Sequence, residues 1–459
     1  MTSTPSRWRR TALRTVSGLL IALAALASVL YAKSEQIVLS AEAYVFGYPL
    51  VMMDLTRQSA LRSIGPENQL RRVRQFPDAR FREVVRPNVD TLYTTTFIDL
   101  AQGPWVFSMP APRDRYEVMA FLDGWTDVFA APGTRWAGNP AGQYLLVGAQ
   151  WQGVAPPGMQ VLRSPTRMAW LIGRTQTLGP QDYAHVHALQ DSLQLVHLED
   201  WLRGMRQGRQ QPWQATTPSA VPIEQMKQMP TGQFFHELAR LMQDNPPAAR
   251  DGPMLRKMAR IGLAPGQPPA WGLLDLWAAG LGRWIADFTI ARELGKPRDL
   301  VQGWQTPPAI LGDYGTAYNI RAVVAMVGLG ANLPADAMYP QARVDTQGRP
   351  LQGAHRYRLH FAAGQWPPVK AFWSITAYGP DDFLLDTPRH ALGSRDPLVA
   401  NADGSLDLWV QAEPPEPSRQ ANWLPVRAGQ DFLLNARLYW PQEQALQGLW
   451  RMPGLERLD

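Results

Sequence analysis

Hydrophobic and polar positions change their period several times along this chain. An apolar run, Val16–Ala32, comes first. Ser34–Arg62 then places Val38, Ala41, Val45, Tyr48 and Met52 at alternating three- and four-residue steps, which predicts a helix. Pro49 removes one amide donor and crowds the Val45 carbonyl, so a kink is expected inside it. From Arg86 to about Arg174 the pattern turns to β. Thr91–Ile98, Tyr116–Leu122, Gln143–Val147 and Met168–Ile172 are rich in apolar, aromatic and β-branched residues. Turn signals separate them at Gly103-Pro104, Pro110-Ala111-Pro112, Pro132-Gly133, Asn139-Pro140 and Pro156-Pro157-Gly158. Short strands divided in this way predict a sandwich or barrel.

Gly179-Pro180 opens a predicted helix that runs through His185 and Leu189 toward Leu202, with proline in its first turn. Met205–Pro230 is polar and broken by proline. Gln233–Met242 and Leu273–Leu294 read as helices, the second with Trp277, Leu281, Trp284 and Phe288 at three- and four-residue intervals. Ala317–Gly328 is a further apolar helix. The last part alternates: Tyr357, Leu359 and Phe361 face one way, Arg358 and His360 the other. Lys370–Tyr378, Leu406–Gln411 and Phe432–Trp440 continue as strands, and Asp403-Gly404 predicts a hairpin turn. The fold class expected is α+β multi-domain. Two antiparallel β-rich, sandwich-like modules, about Arg86–Arg174 and Tyr357–Tyr439, flank a helical middle region, after an N-terminal apolar helix. The expected segments are 1–32, 33–205, 206–313 and 314–459.

Length agrees with division, because single cores stop growing at roughly 250–300 residues and this chain has 459. The formal charge of +6 is concentrated at one end. Arg7, Arg9, Arg10 and Arg14 precede the apolar run, no acid appears before Glu35, and subtracting those four arginines leaves +2. A basic stretch followed by an apolar one has the layout of a secretory signal peptide or signal anchor. Ala25-Leu26-Ala27 offers small residues for cleavage. The continuation to Ala32 gives about 17 apolar-compatible residues, the lower limit for a spanning helix. The basic end stays in the cytoplasm in either case, so the body is expected in the periplasm, soluble after cleavage or anchored to the inner membrane. A near-neutral body without an aromatic-basic patch gives no reason to expect a nucleic-acid partner. The chain has no cysteine, which excludes disulfides, thiolate metal sites and a cysteine nucleophile.

Several long motifs carry a family resemblance. RPNVDTLY (Arg86–Tyr93), GTRWAGNPAGQYLLVG (Gly133–Gly148) and GRTQTLGPQD (Gly173–Asp182) resemble the domain of unknown function family 1254. YGTAYNIRAVVAMVGLGANLPADAMYP (Tyr314–Pro340), PPVKAFWSITAY (Pro367–Tyr378), NADGSLDLWVQ (Asn401–Gln411), NWLPV (Asn422–Val426) and RLYWPQE (Arg437–Glu443) resemble family 1214. The resemblance covers most of Ala41–Leu458. It implies a β-rich, multi-domain envelope protein with an α-helical part; it supplies no activity, and no catalytic residue is carried over from it.

Candidate chemistry gathers at strand entries. Arg86, Asn88, Asp90 and Tyr93 bring four polar functions to the start of an apolar strand. Asp90 is a general acid or base there if burial lifts its pKa, and Arg86 an anion or orientation clamp. Equally, Arg86 and Asp90 can pair, and Asn88 can close an Asx turn after Pro87. Trp125 and Arg135 follow the next strand, where Trp125 can stack on a sugar or aromatic ring, and Trp373 is expected beside them in a pocket between the modules. His185 and His187 are two apart on a helix and cannot share one metal; no metal site and no cofactor is expected. Gly-x-Ser-x-Gly and Walker motifs are absent. The function expected is therefore an envelope-located small-molecule or glycan/lipid-binding protein. The alternative is a periplasmic enzyme of hydrolase or lyase type using acid-base chemistry centred on Asp90 and Arg86.

Overall fold

The computed structural model describes residues 7–82, 84–110, 115–136, 141–208, 210–211, 221–296 and 300–459. The expected turns at Ala111-Pro112 and Asn139-Pro140 lie outside these residues, as do the side chains of Arg7, Arg9, Arg10 and Arg14.

The first β module contains β1 (Arg71–Arg72), β2 (Thr91–Asp99), β3 (Trp105–Met109), β4 (Glu117–Asp123), β5 (Val128–Ala130), β6 (Gly142–Val147), β7 (Gln160–Arg163), β8 (Met168–Gln176) and β9 (Gln194–His197). They form two sheets, ordered β1-β2-β8-β4-β5 and β7-β6-β3-β9, antiparallel except for β6 with β7. Ile98, Phe107, Phe121, Leu146, Leu171 and Leu195 fill the space between the sheets. Strand periodicity turns alternate residues outward, so Phe97, Ala120, Leu122 and Ile172 meet a helical layer instead.

That layer is built around the long helix that follows the apolar arm. The helices are α1 (Arg7–Ala32), α2 (Ser34–Ser63), α3 (Tyr183–Ser192), α4 (Leu198–Leu202), α5 (Pro222–Gln228), α6 (Thr231–Asp244), α7 (Gly252–Ala259), α8 (Leu273–Leu294), α9 (Tyr318–Val327) and α10 (Glu443–Leu446). Thr15–Ala32 of α1 is long and apolar enough to cross a membrane and has no buried part, whereas α2, longer but less apolar, is largely buried. α5 to α9 pack around α2.

The second module comprises β10 (Trp304–Gln305), β11 (Ala337–Met338), β12 (Gln341–Ala342), β13 (Tyr357–Phe361), β14 (Val369–Tyr378), β15 (Ala391–Gly393), β16 (Leu406–Gln411), β17 (Trp423–Pro425), β18 (Leu433–Pro441) and β19 (Leu455–Arg457). One sheet runs β10-β12-β18-β14-β15 with β11 also on β18, the other β17-β16-β13-β19. Leu359, Trp373, Ile375, Leu408, Leu434 and Leu438 close the core between them. The modules meet directly, where Tyr116, Val118 and Ala131 pack on Ala337, Phe372 and Tyr439.

Two local expectations are corrected, and the orientation of α8 is a finding in its own right. The helix from Pro180 does not reach Leu202 unbroken: Gln194–His197 is a strand, because Leu193 and Leu195 are needed in the sandwich core and the backbone pairs with β3. The Asp403-Gly404 turn leads into β16, but β16 pairs with β13, about fifty residues earlier, so no hairpin forms. On α8, the stripe Trp277, Trp284 and Phe288 points outward. The buried face is Ala278, Ala279, Gly282, Ala286 and Ile290, whose small side chains let α2 approach closely.

Candidate functional site at the module junction

The loop Arg86–Asp90 leaves the first module and enters the second. Arg86 adopts a left-handed φ of 51°. Its amide donates to Asp382 O at 2.7 Å, and its carbonyl accepts from Arg437 Nη2 at 3.0 Å. The Pro87 carbonyl accepts from the Tyr378 hydroxyl at 2.7 Å. Asn88 Oδ1 accepts from the Asp90 and Thr91 amides at 2.6 and 3.1 Å, the Asx turn expected after Pro87, while Nδ2 donates to the Tyr439 hydroxyl at 3.0 Å.

Asp90 ends the loop with no exposed surface. One carboxylate oxygen is paired with Arg395, and the other accepts from Ser374 Oγ at 2.6 Å and the Tyr439 hydroxyl at 3.2 Å. Arg395 also donates to the Asp90 and Thr177 carbonyls at 3.0 and 2.6 Å and lies 4.6 Å over the Phe372 ring. Arg437 donates to Thr376 Oγ1 at 2.8 Å and the Tyr378 hydroxyl at 2.6 Å. Burial alone would weaken its proton affinity, but Tyr378, Tyr439 and Asp90 around it hold the guanidinium above its ordinary pKa. Burial drives the Tyr439 and Tyr378 hydroxyls upward, keeping them neutral donors. Arg86 does not pair with Asp90; its Nε lies 3.8 Å from Asp382. The Asp90 partner supplied by the fold is Arg395.

The other predicted residues separate. Tyr93 lies on β2, its ring 5.1 Å from the buried Arg174 guanidinium, which donates to Asn332 Oδ1 at 2.6 Å and Gly330 O at 3.0 Å. Arg135 reaches across the junction to Asp336, with contacts of 2.6 and 3.0 Å, and the Tyr116 hydroxyl donates to the Asp336 carbonyl at 2.9 Å. Trp125 is buried in the helical layer against Phe46, with ring centres 4.8 Å apart, and donates to Asn245 O at 3.1 Å. Trp373 turns into the second module's core beside Phe361. Neither tryptophan lines the cavity beside β11, so the pocket expected from them is corrected: strand parity sends Trp373 away from the junction while Ser374 faces it.

Sequence reasoning missed Arg395, Ser374, Tyr378, Arg174 and Tyr439. One signal was available, since Ser374, Thr376 and Tyr378 share one face of β14 and Asn435, Arg437 and Tyr439 the facing side of β18. Two adjacent strands each carrying a polar face inside a sheet imply a buried partner. Three buried atoms near this network, Thr91 Oγ1, Arg395 Nε and Asn435 Oδ1, have no hydrogen-bond partner among the described residues.

A cavity of about 350 Å³ opens beside β11. Its walls are mainly apolar, including Val301, Trp304, Leu311, Met338, Tyr339 and Trp450, with Thr306 and Arg451 as polar members. Tyr339 joins cavity to junction: its ring is a wall, and its hydroxyl accepts from Asn332, the residue that also holds Arg174.

The family models agree with this two-module organisation. Residues 67–197 match the family model described as protein of unknown function (DUF1254), and residues 336–443 the one described as protein of unknown function (DUF1214). No curated protein matches the chain. Among solved structures, the VPA0106 protein from Vibrio parahaemolyticus aligns with a TM-score of 0.72 at 23% identity, over 92% of this chain and 100% of that one, and shares its fold. An uncharacterized protein from Burkholderia cenocepacia aligns with a TM-score of 0.46 at 12% identity, over 95% of this chain and 96% of that one. The chain thus carries the two families of unknown function in tandem, DUF1254 toward its N-terminus and DUF1214 toward its C-terminus.

Proposed function

We propose that this is an envelope-located binding protein for a small molecule with an apolar face, such as a lipid fragment, held in the cavity beside Tyr339. The observation that carries the reading is that cavity. Its volume of about 350 Å³ lies within the range of small-ligand sites, and its walls are apolar with a few polar groups to orient a guest. The envelope part of the reading is supported by α1, an exposed apolar helix of membrane-crossing length near the N-terminus, which suits a signal sequence or an anchor.

The test is fluorescence titration with N-phenyl-1-naphthylamine, followed by displacement with dodecanoate. Leu446→Trp fills the cavity from its rim, where the side chain is only partly buried, so the fold should survive. Saturable binding by the wild type, weakened by at least roughly tenfold or about 1.4 kcal/mol in Leu446→Trp, is expected. Equal binding by both proteins overturns the assignment.

A second reading retains acid-base chemistry of hydrolase or lyase type at Asp90 and Arg86. The unpartnered buried atoms Thr91 Oγ1 and Arg395 Nε favour it, because a small polar guest would satisfy them. Against it, both Asp90 oxygens are already engaged.

A further inference from the structure

α8 is apolar on two opposite faces. Its small residues are buried against α2: a Cβ at Gly282 would lie 2.5 Å from Ile37 O. The opposite arc, roughly 120° wide at 100° per residue, carries Leu273, Trp277, Leu281, Trp284, Ile285 and Phe288 and no charged side chain between its ends. Leu273 is 88% exposed, Trp284 69% and Phe288 60%. The Trp284 and Phe288 rings stack with centres 6.5 Å apart, continuing the apolar surface. Arg283 and Asp287 lie on a flank of the helix, so the arc is a separate apolar face that the core leaves uncovered, and an exposed apolar face of this size marks a contact surface.

We propose that this arc docks on the bilayer that α1 enters, and that lipid is its occupant. Continuity with α1 singles out lipid. The exposed segment Thr15–Ala32 ends one residue before Lys33, whose ammonium is 2.7 Å from Asp275 in the first turn of α8. The membrane-length helix and the exposed face therefore start from the same end of the body. Lys33 interrupts α1 and α2 with φ −103° and ψ 6°, which gives the chain a point at which to turn between bilayer and body. Tryptophan is also the side chain that bilayer interfaces favour, through its amphipathic ring. From Leu273 to Phe288 the arc spans about 22 Å at 1.5 Å per residue, enough for an interfacial helix.

The inference rests on α1 residing in the membrane, and the test separates the two. The chain has no cysteine, so single substitutions Tyr31→Cys, Phe288→Cys and Ser418→Cys each give one labelling site in the full-length protein. Tyr31 is on α1, Phe288 on the arc, and Ser418 is exposed on the second module. Each variant is labelled with an environment-sensitive fluorophore and reconstituted in phosphatidylethanolamine–phosphatidylglycerol vesicles, with and without brominated acyl chains. Insertion to about 5–10 Å depth predicts a blue shift and loss of roughly half the emission at position 288, and none at 418. Quenching at 288 supports docking, whatever happens at 31. Quenching at 31 but not at 288 overturns docking and leaves anchoring intact; quenching at neither overturns both. Oxidative cross-linking of position 288 between two copies without lipid quenching assigns the arc to a second copy and overturns the proposal.

Discussion

Asp90 is a fully buried carboxylate among arginines, paired with Arg395 and near Arg437. Asp90→Asn keeps its shape but leaves the partly buried Arg395 and the buried Arg437 without their counter-charge. The expected loss is about 3–5 kcal/mol of stability in urea denaturation, the penalty for stranding a buried charge. A variant of wild-type stability that has lost ligand binding or turnover would instead place Asp90 in a working site and revive the acid-base reading. Glu117 makes a second residue-scale prediction. Burial pushes its carboxyl from 4.5 up to about 7, against the Thr175 hydroxyl at 3.0 Å and the Arg115 charge. Asp123 moves the same way, to about 7, through burial and the neighbouring Asp127. Between about pH 4 and 7 the folded protein therefore holds more protons than the unfolded chain at these two sites. Their contribution to stability is complete below the unfolded pKa values and is lost as the pH rises through about 7. Denaturant midpoints across that window should show the decline, and Glu117→Gln should flatten its share of the slope; an unchanged slope would place the proton elsewhere.

At the scale of elements, the contact between α8 and α2 depends on one missing methyl group. Gly282→Ala would set a Cβ 2.5 Å from Ile37 O, 2.9 Å from Ser40 Cβ and 3.0 Å from Ala41 N. Backbone cannot yield there without moving a helix, so a loss of about 1–3 kcal/mol is expected, with faster amide exchange along the first half of α2. Unaltered melting would mean that the helices part more easily than their packing suggests. The length of α8 is legible in its apolar periodicity, but which stripe faces inward is not: the aromatic one looks like the core, while the alanines and Gly282 fill it. Strands such as β2, β14 and β16 announce themselves through β-branched and aromatic residues with turns at either end. β9 does not, because four residues beside a helix gain their strand character only from pairing with β3. The RPNVD loop is recognisable as polar chemistry at a strand entry, and its Asx turn follows from Asn88 and Pro87. Its partners are not, since Arg395 sits 305 residues away and no local pattern links it to Asp90.

For the whole molecule, the junction ties the modules with buried charge as well as apolar packing. Arg135–Asp336, Asp90–Arg395 and the Arg437 bond to the Arg86 carbonyl all cross it. The two modules should therefore unfold in one calorimetric transition. Arg135→Ala, which leaves the buried Asp336 unpaired, should lower its midpoint without splitting it. Two resolved transitions in the wild type would mean that the modules are only loosely joined. The same loop also constrains the order of assembly. Asn88 bonds to Tyr439 across 351 residues of chain, and Arg86 to Arg437 across the same span. A chain emerging from its N-terminus thus presents the loop long before its receptor strand exists, because β18, the central strand of its sheet, is among the last pieces to appear. Asn88 and Asp90 should therefore stay hydrated until Leu433–Pro441 pairs with β14, and closing so long a loop should make formation of the junction a late, slow step of folding.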